Sequence, residues 1–266
     1  MKVKAVKRIA IVAVAVMTVM GAAGASLAGD LLQSVKERGK LIVGTSADYP
    51  PYESVDASGN FVGFDMDIIR EIGKRMGVKV VIKDMGFDTL ITALQAKKID
   101  AVIAAMQYSP ERDEKVDFSI VYRKISDAFL VKADSPITLN SPEDIAAYKV
   151  ASQTGTIQEK WMLKNLVDTG KMKKNQAFSY ERVDNAAMDV AAGRIDVLFI
   201  QSDPAESLAE KSGLKIALIS KETVVAGQCI AVPEGEKGLK AEFDKLIEAM
   251  RADGTIQKIT DKHGLK

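Results

Sequence analysis

The chain has 266 residues, of which 47% are hydrophobic and 27% charged; this is enough to bury one large core or two modest ones, and it excludes disorder, collagen and coiled coil. Its 37 Lys and Arg nearly cancel its 36 Asp and Glu, so no net basic field exists to hold a nucleic-acid backbone or an acidic membrane surface. Cys229 and His263 are its only Cys and His: the usual zinc motifs cannot be written with them, and a Ser-His-Asp or Cys-His centre would depend on a histidine near the chain end, where termini usually fray.

Lys2, Lys4, Lys7 and Arg8 precede an apolar run that starts at Ile9 and passes into small residues ending in Ser26-Leu27-Ala28. That order predicts a secretory signal peptide over residues 1–28, cleaved after Ala28 rather than kept as an anchor, because small side chains stand where signal peptidase needs them. No Cys lies near the junction to be lipidated, so a soluble periplasmic or extracytoplasmic protein is expected. Cleavage would remove four basic and no acidic side chains, leaving 33 against 36 and a formal charge of −3. A single Cys excludes an internal disulfide, so stability must come from core burial.

Downstream, apolar runs at 41–44, 78–82, 99–105, 148–152, 195–200 and 214–219 predict short buried strands. Between them Ile68, Ile69, Ile72 and Met76 recur at helical spacing behind Asp65, as do Ile91 and Leu94. Strands alternating with helices predict an α/β fold with mostly parallel sheets. Ser109-Pro110 and Ser141-Pro142 read as capped helix starts, and Thr156 with Glu159 fits a capping box. A weak internal repeat pairs residues 95–103 with 191–199, and 41–45 with 148–152, predicting two similar lobes.

Five segments in a fixed order carry a family resemblance. They are Leu41-Ile42-Val43-Gly44-Thr45 with Tyr49-Pro50-Pro51-Tyr52, then Gly63-Phe64-Asp65-Met66-Asp67-Ile68, then Ser109-Pro110-Glu111-Arg112 with Val116-Asp117-Phe118-Ser119, then Gln153-Thr154-Gly155-Thr156, and finally Arg251-Ala252-Asp253-Gly254-Thr255. The chain resembles the extracellular solute-binding proteins of polar amino-acid ABC importers, the glutamine, histidine and lysine/arginine/ornithine binding group. The resemblance implies a two-lobed periplasmic-binding-protein fold, each lobe a mostly parallel sheet flanked by helices, joined by two hinge strands. Transferred here, lobe 1 is residues 31–126 plus 225–266, lobe 2 is 127–224, and the crossings fall near 126–131 and 226–232. It also implies a monomer that captures a small amino-acid-like ligand, closes, and docks on an ABC permease in the membrane, with no cofactor, no metal and no nucleic acid.

Site residues follow from the same resemblance. Arg112 is expected to hold the ligand's carboxylate, because a guanidinium offers a permanent charge in a two-pronged geometry. Thr156, behind Gly155, is expected to meet that carboxylate through its N–H and hydroxyl while also serving as an N-cap. Ala105 and Gln107 match strand-end positions that contact ligand, although Gln107 replaces the usual small hydroxyl. Tyr49 and Phe87 match an aromatic pair that sandwiches the ligand side chain. Ser46 stands where members with basic ligands often carry Asp, although Asp48 lies close by in sequence. Gln201 departs from an Asp that pairs with the ligand's α-ammonium; either Asp203 takes over, Gln201 serves as a neutral acceptor, or the ligand is not a standard α-amino acid. No carboxylate or His is expected among these positions, which disfavours the dehydratase chemistry known on this fold. A ligand-sensing receptor remains a further alternative to transport.

Overall fold

The structure, a computed structural model, describes residues 31–223 and 226–265; the expected signal peptide lies outside the described residues. The first part of the chain runs α1 (Leu31–Arg38), β1 (Lys40–Thr45), β2 (Asp48–Tyr49), β3 (Glu53–Val55), β4 (Phe61–Val62), α2 (Phe64–Met76), β5 (Lys79–Asp84), α3 (Leu90–Gln95), β6 (Ala101–Val102), α4 (Pro110–Asp113) and β7 (Val116–Phe118). It continues through β8 (Asp127–Lys132), β9 (Val150–Gln153), α5 (Ile157–Met162), β10 (Ala177–Tyr180), α6 (Val183–Ala191), β11 (Val197–Gln201), α7 (Ser202–Ser212) and β12 (Leu214–Ser220), then returns with β13 (Ala231–Pro233), α8 (Lys237–Ala252) and α9 (Thr255–Lys262).

Two five-stranded sheets organise these elements, in the orders β5-β1-β6-β13-β7 and β10-β9-β11-β8-β12, with β2-β3-β4 as a small separate sheet. In the first, β13 alone runs against its neighbours β6 and β7; in the second, β8 alone runs against β11 and β12. The sheets are mostly parallel as expected, each mixed by one reversed strand. The odd strand in each is the one the chain enters on crossing from the other lobe, so its direction is set by the crossing and not by a helical return.

Alternation along the strands separates the cores. In β8, Ala128 and Leu130 join Leu198 and Ile200 of β11 on one face, while Phe129 and Val131 meet Phe199 on the other; the Phe129 and Phe199 rings stack with centroids 4.3 Å apart. In α2, Ile68, Ile69, Ile72 and Met76 are buried as their spacing predicts, and Gly77 ends the helix in the left-handed conformation. Burial of each of these isoleucines contributes about 1.5–3 kcal/mol.

The internal repeat has a physical counterpart. Lys97 and Gly193 both adopt positive φ, 55° and 73°, just after α3 and α6. Three residues later, Asp100 accepts the Ile42 N–H at 2.7 Å and Asp196 accepts the Lys149 N–H at 2.8 Å, so each acid secures the adjoining chain of β1 or β9. The same helix-to-strand device is built twice.

The first crossing differs from expectation, while the second falls within the expected 226–232. Asp127 to Val131 are buried and paired on both sides, with β11 and β12, so this run is a central strand of the second sheet and cannot be a connector. The connections are residues 120–126 and 226–230, which meet where the Gln228 N–H donates to the Arg123 carbonyl at 2.9 Å and the Tyr122 N–H to the Gln228 carbonyl at 2.9 Å. The predicted strand at 99–105 is shorter than expected, because Ala105 turns to a φ of 48° where its N–H is captured by Asp65 at 2.6 Å. His263 is packed, not frayed: its Nε2 lies 2.7 Å from Asp67 and its ring meets Phe64 edge-on.

Candidate functional site

Ser46, Tyr49, Phe87, Ala105, Gln107, Arg112, Thr156 and Gln201, scattered over more than half of the chain, line one cavity between the two lobes. They arrive from the ends of strands and the first turns of helices, where side chains are released from the sheets. Glu53, Ile157 and Gln158 share the lining and had no sequence signal pointing to a cleft; Gln153 shares it too, and opens the segment Gln153-Thr154-Gly155-Thr156 that carried the resemblance without being given a site role. Glu53 corrects the expectation that no carboxyl group lines this space. It is the first residue of a three-residue strand, too short for alternation to reveal which way it faces.

Arg112 is set by a short, well-capped helix. Pro110 occupies its first turn, and the Ser109 hydroxyl accepts the Arg112 N–H at 3.3 Å. Arg112 is 4% exposed; its Nη1 donates to the Gln107 carbonyl at 2.7 Å and its Nη2 to the Gly155 carbonyl, across the lobes, at 2.9 Å. Phe87 lies beneath it, 5.4 Å from ring centroid to Cζ. Among the described residues no carboxylate forms an ion pair with Arg112. Burial pulls its pKa down to about 10, with Glu111 partly opposing, so the group stays cationic at neutral pH.

Gln201 is hydrogen-bonded at both amide atoms and at its backbone N–H. Its Nε2 donates to the Ala105 carbonyl at 2.9 Å, its Oε1 accepts from Gln228 Nε2 at 2.6 Å, and its N–H donates to the Tyr49 hydroxyl at 3.0 Å. Gln228, from the second connection, therefore belongs to the site's support. Asp203 does not take over the expected role: it accepts from the Arg123 guanidinium at 2.6 Å and from the Tyr52 hydroxyl at 2.5 Å, outside the cavity lining. Asp48 is likewise committed, accepting from Ser46 Oγ at 2.9 Å and the Val183 N–H at 2.6 Å.

The aromatic pair is not free to act only as a sandwich. Phe87 is stacked on Arg112, and Tyr49 lies against Tyr52 with centroids 6.4 Å apart while its hydroxyl bridges to β11. Thr156 caps α5 as expected, accepting the Glu159 N–H at 3.2 Å, and its own hydroxyl donates to the Gln153 carbonyl at 2.6 Å. Glu159 closes the box one residue early, accepting the Gly155 N–H at 2.6 Å in place of the Thr156 N–H. Cys229 is buried with its thiol pushed up to about 12 by desolvation, which makes it a packing residue.

The comparisons with known proteins agree on one family. The model of the bacterial extracellular solute-binding proteins, family 3, matches residues 41–266. The L-cystine-binding protein TcyJ of Escherichia coli (strain K12) is 30% identical over 249 residues, covering 93% of this chain and 91% of that protein. Among solved structures, an ancestral arginine-binding protein bound to arginine superposes with a TM-score of 0.78 at 34% identity, covering 85% of this chain and 98% of that one. An ancestral amino acid-binding protein described as a precursor of cyclohexadienyl dehydratase gives 0.79 at 31% identity, covering 88% and 99%. A paired two-lobe architecture with a cavity at its junction, matched over nearly its whole described length, places this chain in the bacterial extracellular solute-binding proteins, family 3.

Proposed function

We propose that this protein is the substrate-binding component of an ABC importer, and that its lobes close on a small amino-acid-like ligand whose carboxylate is neutralised by Arg112. The observation that carries the reading is Arg112 itself, a buried cation lining the cavity with only carbonyl partners and no ion-paired carboxylate among the described residues. A guanidinium in that setting is costly unless an anion joins it, and a carboxylate matches its two-pronged face. Ser46, Tyr49, Phe87, Ala105, Gln107, Thr156 and Gln201 form the remaining walls of the ligand site in this reading.

The names of related proteins, an L-cystine-binding protein and an arginine-binding protein, support an amino-acid ligand with a polar or extended side chain. The relatives are named for binding, and the reading here is of capture and release without turnover. The same reading divides the chain into a cleaved leader at 1–28, lobe 1 at 31–126 plus 225–266 and lobe 2 at 127–224, working as a monomer outside the cytoplasm and docking on a membrane permease without nucleic acid. Calorimetry of the purified protein against the twenty common amino acids, L-cystine, L-ornithine and common betaines and opines is expected to give one ligand per chain at micromolar or better affinity. A wholly silent panel overturns the reading.

A further inference from the structure

The connections attach at β7, β8 and β13, toward one end of each sheet order, which leaves β5 and β10 as the outermost strands at the other end. Asp84 is the last residue of β5, and Arg182 lies two residues past β10, at the start of α6. These two side chains join the free edges of the lobes. Arg182 Nη2 donates to Asp84 Oδ2 at 2.8 Å and its Nη1 to Asp84 Oδ1 at 3.1 Å, the two-pronged fit of a guanidinium to a carboxylate. The Ala47 N–H donates to Asp84 Oδ1 at 2.9 Å and fixes the acid to its own lobe.

A second acid of the same lobe stands behind the first. Asp48 accepts the Val183 N–H, the first of α6, at 2.6 Å and the Ser46 hydroxyl at 2.9 Å, while Arg182 Nη1 lies 3.7 Å from its Oδ1. A carboxylate at that end of a helix is favoured by the orphan N–H groups and the macrodipole. Ser46 lines the ligand cavity and Arg182 does not, so contacts run from the cavity wall through Asp48 to the opposite lobe.

Burial alone would raise the Asp84 pKa, but hydrogen bonds from Arg182 and Ala47 outweigh it and hold the carboxyl below its usual value. The bond to Asp84 in turn raises the Arg182 pKa, so both partners gain from the contact. At Asp48 burial outweighs its hydrogen bonds, and the pKa is raised. The attraction between the edges is therefore carried by Asp84, and Asp48 serves as the docking point of α6. One other ion pair, Lys160 to Glu111 at 2.8 Å, crosses the lobes nearby; its side chains are 42% and 57% exposed against 31% for each of Arg182 and Asp84, so water screens it more.

Resting on the reading of a ligand captured between closing lobes, we propose that Arg182 is a positioning residue that clasps the cleft shut from outside it, holding Asp84 and lying beside Asp48 of the facing lobe and so slowing ligand release. Its place far from the connections gives it leverage, because any opening rotation about them displaces the free edges most. The pair forms as the lobes close, after the ligand has entered, so release responds to it and capture does not.

The test measures association and release of radiolabelled L-arginine, L-cystine or another member of the amino-acid panel that binds, by rapid filtration. Arg182→Ala is expected to raise the release rate about threefold to tenfold with the association rate unchanged, and Arg182→Lys, which keeps the charge but not the two prongs, to fall between the two. Raising NaCl from about 0.05 to 0.5 M is expected to speed release from the wild type, and to do so less in Arg182→Ala. Asp84→Asn, which keeps an acceptor for Ala47, is expected to match Arg182→Ala, and Lys160→Ala to change release less. Wild-type release from Arg182→Ala, a loss of affinity that lies in association, or an equal effect of Lys160→Ala overturns the clasp and leaves the transport reading standing. A silent panel overturns both.

Discussion

Arg112 and Gln201 show how much a single side chain's setting governs its use. Arg112 is held by two carbonyl oxygens, and removal of its guanidinium would leave both without their donor as well as deleting the cavity's cation. Arg112→Ala is expected to weaken binding of any carboxylate ligand by at least about 100-fold, roughly 3 kcal/mol, as measured by calorimetry. Unchanged affinity would remove Arg112 from the ligand site. Arg112 was legible in the sequence because it follows Ser109 and Pro110 in a motif. Gln201 was legible as a departure from that pattern, but its commitment to Ala105 and Gln228 was not, since those partners lie 96 and 27 residues away. Glu53 was invisible as a cleft residue for a similar reason: its neighbours Asp65 and Asp48 are brought to it by two other elements, α2 and β2.

At the scale of elements, the approach of the lobes depends on one turn. Gly155 precedes α5 with a φ of 79°, and a Cβ there would sit 3.1 Å from Asp88 Cα and Cβ, which belong to the short turn before α3. Gly155→Ala would meet a left-handed backbone penalty of about 1–2 kcal/mol together with a tight contact that moves Asp88 and the facing lobe away by a few tenths of an ångström. Ligand affinity is expected to fall by about tenfold or more, with a modest change in the melting temperature of the protein measured without added ligand. Wild-type affinity in the variant would show that Gly155 and Asp88 do not approach this closely in the bound form. The capped starts of α4 and α5 and the amphipathic face of α2 could be read from local residue order, because caps and helical spacing are decided within a single turn. The direction of β8 and β13 could not, because a strand's polarity in a sheet depends on where the chain comes from.

For the molecule as a whole, buried acids couple stability to pH. Burial pushes the Asp127 pKa up to about 6 from a usual 3.8, against the pull of hydrogen bonds from Thr223 and Gln158. The folded state therefore binds this proton more tightly than the unfolded chain, and stability falls as pH rises through the window from about 4 to 6, by up to about 3 kcal/mol. Asp127→Asn removes that loss: scanning calorimetry is expected to show the variant melting higher than its parent above pH 6 and no higher below pH 4. The reverse trend would mean that the carboxylate at this position stabilises the fold. The amino-acid sequence by itself determined the α/β class, the two-lobed plan and the repeat of Asp100 and Asp196 at matching junctions, because periodicity and capping are local properties carried along the chain; the set of side chains that share one cavity followed from the resemblance its motifs carry. Only the tertiary structure decided that the crossings lie at 120–126 and 226–230, that Asp203 and Asp48 are spent elsewhere, and that Glu53 lines the cleft in a buried setting. Pairing, desolvation and charge coupling depend on which distant residues become neighbours, and folding alone supplies that information.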